Sequence, residues 1–315
     1  MNPDIFAEWL RRQGHKVIRT DSSYWYEAGP RVYQAFPYHW LIEPTQQELL
    51  GLLLKKRAVG LRYSAPIGSP FGCISYHAIY DEPNYTMDIL DRRSRQNVRK
   101  GLKNCTVAPI PFQRLSEEGW LLENDTASRQ GCRQTIAKEK WRRRCLAAAD
   151  LPGFEAWGAL VGDRLVASLL TFTMDDCCEM ISQQCHRDYL NARVNNALSF
   201  VVTETMLSRL GIRSIFYTLQ SLDAPDSIDQ FKFRMGYKAK PVKQRVFFIP
   251  LAAPVLNNVT YAILEWMSKR RPNDSSLAKA MGLLRFYLNG KVSPEKQDWP
   301  ECMIHRKAEL VSHTN

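Results

Sequence analysis

The 315-residue sequence contains no run of about eighteen apolar residues, so it offers no helix that reads as membrane-spanning. Met1 to Lys16 does not read as a signal peptide, because Asp4, Glu8, Arg11 and Arg12 interrupt its apolar pattern. A cytoplasmic location is the expectation. The signatures G-x-x-x-x-G-K-S/T, G-x-G-x-x-G, G-x-S-x-G and H-E-x-x-H are all missing, which removes the enzyme classes that depend on them. His186-Arg187-Asp188 has the letters of a kinase catalytic loop, but Arg193 stands where that loop needs asparagine, and no glycine-rich loop accompanies it. The six histidines are scattered and show no metal-ligand spacing, so no metal is expected. The eight cysteines include no C-x-x-C pair, and reduced thiols are the reading for a cytosolic chain.

Acid is also in short supply. Lys plus Arg number 43 against 32 Asp plus Glu, a net charge of +11. With 45% apolar and 11% aromatic residues, the chain has the material for a real core, and disorder is excluded. The positive balance points to an anionic partner: a phosphate-bearing cofactor, nucleic acid or an anionic membrane surface. Its distribution is uneven. Asp91 to Lys103 carries +5, Lys138 to Arg144 +4, Lys232 to Arg245 +6 and Lys269 to Arg271 +3, so these four segments hold +18 and the remainder is −7. Lys140 to Arg144, with Trp141 interleaved, is by composition the best single nucleic-acid patch.

The patterning predicts helices over Ile5 to Gln13, Thr45 to Lys56 and Leu90 to Asn104, with Thr45 and Glu48 as a capping box and Asp91 at the start of the third. Two more are predicted over Ser116 to Gln130 and Lys138 to Ala149. From there the period changes. Glu155 to Val161 and Arg164 to Met174 read as strands joined at Gly162-Asp163, a hairpin signal, and Glu179 to Cys185 as a third. A helix over Ala197 to Leu210, a strand over Ser214 to Leu219, a short helix over Ser227 to Met235 and a strand over Arg245 to Ile249 complete an α/β unit. Helices follow over Val255 to Arg270 and Ser276 to Leu288, and Gly290 to Asn315 reads as a loosely ordered tail.

Three local motifs occur in order within this framework. Arg95-Gln-Asn-Val-Arg-Lys-Gly101 resembles an R-x-N-I-R-K-A helix, Thr126-Ala-Ser-Arg-Gln-Gly131 a T-x-x-R-x-G helix end, and Asp229 to Tyr237 a terminal F-K-x-x-x-G-[FY] segment. Together with the element order, they resemble the GNAT-fold acyltransferases and, within them, the Fem-like peptidyl and aminoacyl transferases. The resemblance covers roughly Leu90 to Phe248. It implies an N-acyltransferase domain at 116–250, a helical extension at 251–315, and an N-terminal lobe at 1–115 that is either a second, degenerate GNAT-like lobe or a dedicated substrate-binding lobe.

The resemblance also assigns residues. It places Lys232 near the reacting carbonyl, where a cation stabilises a developing oxyanion. It implies a donor loop of the form R/Q-x-x-G-x-G/A, whose backbone amides hold the cofactor pyrophosphate. Here the stretch runs from Arg187 to Asn196 without a glycine. Asn191, Asn195 and Asn196 tolerate left-handed backbone, and Arg193 can neutralise phosphate. Side chains hinder close approach of a pyrophosphate, so the donor is left open between acyl-CoA and aminoacyl-tRNA, with an amine as acceptor. Arg95, Arg99, Lys100 and Arg129 are candidates for a phosphate-bearing substrate. Gln183, in a central strand, and Gln220 and Ser221, at the carboxyl end of another, are candidate substrate contacts. Tyr217 and Tyr237 are candidate acids for the leaving group. Two of the basic segments coincide with these motifs, so the charge reads as a phosphate-facing cleft. The alternative is a non-catalytic nucleic-acid or protein binding module on a degenerate scaffold.

Overall fold

The computed structural model describes residues 2–129, 136–222, 226–271 and 274–312, with the backbone alone at 226–229, 275 and 312. In chain order the elements are α1 (Pro3–Arg12), β1 (Val17–Arg19), β2 (Tyr24–Gly29), β3 (Val32–Phe36), α2 (Gln46–Lys56), β4 (Gly60–Ala65), β5 (Cys73–Tyr80), α3 (Arg92–Asn104), β6 (Thr106–Pro109), α4 (Phe112–Arg129) and α5 (Lys138–Leu146). Then follow β7 (Phe154–Val161), β8 (Arg164–Met174), β9 (Cys177–Cys185), α6 (Val194–Leu207), β10 (Ser214–Leu219), α7 (Asp226–Arg234), β11 (Lys238–Phe248), α8 (Asn258–Arg270), α9 (Ser275–Asn289) and α10 (Lys307–Ser312). The expected helix and strand order from Ser116 onward is observed.

The chain forms two compact units that interleave in sequence: Met1–Gly14, Ala78–Thr218 and Ser227–Lys238 make the first, and His15–His77, Leu219–Asp226 and Ala239–Asn315 the second. Each draws on several stretches, whereas the sequence reading divides the chain at 115 and 250.

In the first unit the strands run in the order β10-β9-β8-β7-β6. The β7–β8 hairpin turns at Gly162, whose φ of +57 supplies the left-handed residue a tight turn needs. The core behind it is mainly apolar, with Val98, Val166, Leu169, Leu198, Val202, Met206 and Ile215 all buried. Each such side chain contributes on the order of 1.5–3 kcal/mol when fully buried. The amphipathic α1 lays Phe6 and Trp9 against Phe154 and Phe172, with ring centroids 5.1 to 6.0 Å apart.

The second unit orders its strands β1-β2-β3-β4-β11. Here β3 and β4 are parallel, paired only from Val32↔Gly60 to Gln34↔Arg62, and α2 connects them. The first unit has the same plan, with β9 and β10 parallel and α6 between them. Each unit therefore contains one parallel strand pair connected through a helix, and the second unit draws its strands from both the N-terminal and the C-terminal parts of the chain.

Three expectations change. Helix α4 begins at Phe112, four residues early, directly after Pro111, whose carbonyl accepts from the Leu115 amide at 3.1 Å. Strand β11 begins at Lys238, not Arg245, because its lysines and Pro241 mask the strand pattern; its ladder with β4 starts at Lys243. The described part of the tail after Gly290 forms helical turns over Pro294–Lys296 and Glu301–Arg306 and then α10. Gln297 is buried there: its Oε1 accepts from the Ile74 amide at 2.7 Å and its Nε2 donates to the Gly72 and Val292 carbonyls. Buried Met303 and Leu310 anchor the segment further along. Among the described residues no two cysteines form a disulfide, and Cys132 lies outside them. Among the described residues no helix is long and apolar enough to cross a membrane.

Candidate functional site

The parallel pair β9/β10 is the feature that creates a site. Its register runs Ser214↔Cys177, Ile215↔Cys178 and Phe216↔Glu179, and stops there. On its other side, β9 slips register against β8 between Leu170↔Ser182 and Thr171↔Met180, leaving Ile181 as the extra residue of a bulge. A bulge bends the strand that carries it. Past Glu179 and Phe216 the two strands part, and side chains fill the opening instead of ladder hydrogen bonds.

Those side chains form a chain of contacts. The Tyr217 hydroxyl donates to Gln183 Oε1 at 2.6 Å, and Gln183 Nε2 donates to Asn195 Oδ1 at 2.7 Å. The Lys232 ammonium lies 5.6 Å from the centroid of the Tyr217 ring. Lys232 is only 8% exposed, so its charge sits in a poorly hydrated place where its field is strong. Four residues from β9, β10, α6 and α7 thus converge at the parting of two strands.

Asn195 also marks where α6 begins. No side chain caps this helix, and its N-cap is Arg193, held left-handed at φ 63, ψ 24. Its first turn carries the positive end of the helix dipole, and within it the amides of Asn196 and Ala197 donate to the Arg193 carbonyl at 3.0 and 3.2 Å. The loop leading in is pinned from α4. Thr126 Oγ1 accepts from the Cys185 amide at 3.1 Å and donates to the Cys185 carbonyl at 3.3 Å, while Arg129 Nη2 donates to that carbonyl at 3.2 Å. One residue upstream of Thr126, Asp125 accepts from the Arg187 amide at 2.8 Å and pairs with its guanidinium. From the other side α3 approaches so closely that a Cβ on Gly101 would lie 2.4 Å from the Arg193 carbonyl oxygen.

Solved structures share this architecture. The C-terminal domain of a lysylphosphatidylglycerol synthetase from Agrobacterium fabrum aligns over 81% of this chain and 91% of its own at 11% identity, with a TM-score of 0.53. FemX aligns over 80% and 93% at 9% identity and 0.54, and L-PGS from Bacillus licheniformis over 81% and 94% at 11% and 0.50. The chain shares the fold of FemX and of these lysylphosphatidylglycerol synthetase structures. No family model and no curated protein matches the sequence.

Within this Fem-like frame the residues singled out from sequence separate into groups. Lys232, Tyr217, Gln183 and Asn195 come together at the strand opening. Tyr237 lies deeper: it is buried, its hydroxyl is 2.6 Å from Thr203 Oγ1, and burial pushes its phenol well above the ordinary value. That environment suits packing, and the Tyr217 ring lies 5.0 Å from that of Tyr237. In the glycine-free loop the left-handed residue is Arg193, not one of the asparagines. Asn191 is exposed, and Asn196 donates to Met235 Sδ at 3.5 Å. Arg129 and Arg187 serve to hold the loop. Arg95 is half-buried, 3.8 Å from Asp88, while Arg99 and Lys100 are exposed within one turn of Gly101. Gln220 and Ser221 belong to the second unit, where Gln220 Oε1 accepts from Ser75 Oγ at 2.8 Å and its carbonyl accepts from Arg62 at 2.9 Å. Gly131 of the helix-end motif lies outside the described residues. Trp141 is buried, so the aromatic of the α5 basic patch is core and does not face a nucleic acid. Among the described residues there is no cluster of His, Cys, Asp or Glu that could hold a metal.

Asp125 was not singled out from the sequence, although it adjoins Thr126 of a motif. Burial raises its carboxyl pKa, but the bonds from Arg187 outweigh this and hold it below the usual carboxylate range. A depressed folded pKa stabilises above the unfolded value of about 4 and loses that contribution as pH falls through the folded value. Asp125→Asn is therefore expected to cost no more than about 1 kcal/mol at neutral pH, the pair being partly exposed. It should also flatten the acid limb of the unfolding midpoint below about pH 4, read by urea titrations from pH 2 to 7.

Proposed function

We propose that this chain is an acyl or aminoacyl transferase that moves its group from a phosphate-bearing donor to an amine. The observation that carries this reading is the meeting of Lys232, Tyr217, Gln183 and the uncapped start of α6 where β9 and β10 part. The donor is an acyl-CoA or an aminoacyl-tRNA, both of which present a carbonyl beside phosphate. Asn195, Asn196 and Arg187 are engaged by Gln183, Met235 and Asp125, so phosphate recognition falls to the α6 amides, Arg193 and the nearby Arg99 and Lys100.

The chemistry needs little more than alignment and charge. The amine nitrogen attacks the donor carbonyl, a C–N bond forms, and the carbonyl electrons move onto oxygen. Lys232 stabilises that oxyanion. As the tetrahedral intermediate collapses, the bond to the thiol or ribose oxygen breaks. Tyr217, oriented by Gln183, gives the leaving group its proton, and the proton shed by the former amine restores the phenol. The cytosol, where both donors are made, is the compartment this reading requires.

Thermal unfolding with each donor tests it. A bound CoA thioester at ten to a hundred times its dissociation constant is expected to add about 1.4–2.7 kcal/mol. A tRNA user instead is expected to bind tRNA with an affinity that falls steeply with salt, as several phosphates release counterions. Response to neither would reject the transferase reading in favour of a binding module.

A further inference from the structure

Helix α8 presents an apolar stripe to solvent. Val259, Ile263 and Trp266 recur at helical spacing and are 68%, 52% and 53% exposed; Leu251 and Val255, in the turn leading into the helix, are 88% and 60% exposed. Its opposite face is occupied, since Tyr261, Leu264 and Met267 are half-buried and α8 packs on α9. Scattered exposed apolar residues are ordinary, but five in one continuous stretch of sequence, three of them along one helix face, mark an interaction surface.

The charge beside the stripe selects the partner. Lys269, Arg270 and Arg271 end the helix, and between Leu251 and Arg271 the sole acid is Glu265, which pairs with Lys269 at 3.2 Å. The Arg270 guanidinium lies 3.9 Å from the Trp266 ring centroid, so a cation rides on the most amphipathic aromatic of the face. A protein interface buries such a face in a matching apolar groove and has no need of cations at its end. A leaflet of anionic lipid needs both: apolar side chains that enter at the level of the headgroups, and Lys and Arg that meet lipid phosphate.

We propose that α8 and the turn before it dock the protein on an anionic phospholipid surface, lying in the plane of the interface. The surface belongs to the second unit and does not depend on the transferase reading. The test is co-sedimentation of the full chain with vesicles, with Ile263→Glu/Trp266→Glu as the variant. Both positions are more than half exposed, so the fold is expected to survive, and an unchanged thermal midpoint verifies it. The expected result is binding to vesicles containing phosphatidylglycerol, at least tenfold weaker for the variant, weakened by salt, and much reduced on phosphatidylcholine alone. Equal binding of variant and wild type would overturn the proposal. So would a dimer in sedimentation that the variant dissociates without any vesicle binding, which would make a second copy the occupant.

Discussion

Replacing Lys232 by alanine is expected to slow transfer by about 100- to 1,000-fold, the loss seen when one preorganised oxyanion donor is removed from a dry site. The loss should fall on kcat, because the charge it stabilises exists only in the transition state. Stability should change far less. The ammonium contributes a cation–π contact with Tyr217, at 5.6 Å from the ring centroid, of about 0.5–2 kcal/mol, beside the burial of its stem. Lys232→Met separates the two roles, since it keeps the stem and loses the charge: its thermal midpoint should fall by no more than a few degrees, less than that of alanine, while its turnover matches that of alanine. Tyr217→Phe gives a second arm. It removes the hydroxyl on Gln183 and should slow release of a poor leaving group more than a good one. Turnover within threefold of wild type in Lys232→Met would leave the site without its proposed electrophile.

What was legible in the sequence is local. Thr45 and Asp91 were readable as helix caps, and both accept the expected amide, from Glu48 at 3.1 Å and from Ser94 at 2.8 Å. The second half of the Thr45 capping box is absent because the Glu48 carboxylate turns to Ser22, 26 residues away, at 2.6 Å. The same boundary divides the site. Lys232 could be singled out because a short segment carries it, but its convergence with Tyr217 and Gln183 depends on where two strands stop pairing. No pattern of residues announces that point. Glu179 and Ile181 look like any strand residues, yet the first ends the ladder to β10 and the second makes the bulge against β8. Likewise, nothing in Arg187 to Asn196 says which residue goes left-handed; asparagine has the better propensity, and tertiary packing of α6 on α3 imposes it on Arg193.

That packing makes a single added methyl group costly. Gly101 and Gly51 both lie inside helices, α3 and α2, and replacing a helical glycine by alanine ordinarily gains up to about 1 kcal/mol through propensity. At Gly51 a Cβ meets nothing within 4 Å, so Gly51→Ala should show that gain. At Gly101 it would lie 2.4 Å from the Arg193 carbonyl oxygen and 2.8 Å from the Ala197 Cβ. Neither atom can yield by rotating a side chain; helix α3 or the start of α6 must move. Overpacking of this kind costs about 1–3 kcal/mol and, against backbone, sits at the upper end, so it exceeds the propensity gain. Gly101→Ala is therefore expected to lower the thermal midpoint by several degrees while Gly51→Ala raises it slightly. The displaced group is the N-cap of α6, the helix whose amides are assigned to donor phosphate. Donor affinity should fall in Gly101→Ala even at temperatures where the protein is fully folded, and stay unchanged in Gly51→Ala. If the two variants shift stability in the same direction, the contact between α3 and the Arg193 carbonyl is not a constraint. If they differ in stability but bind donor equally, α6 is structural only, and the phosphate must be held elsewhere.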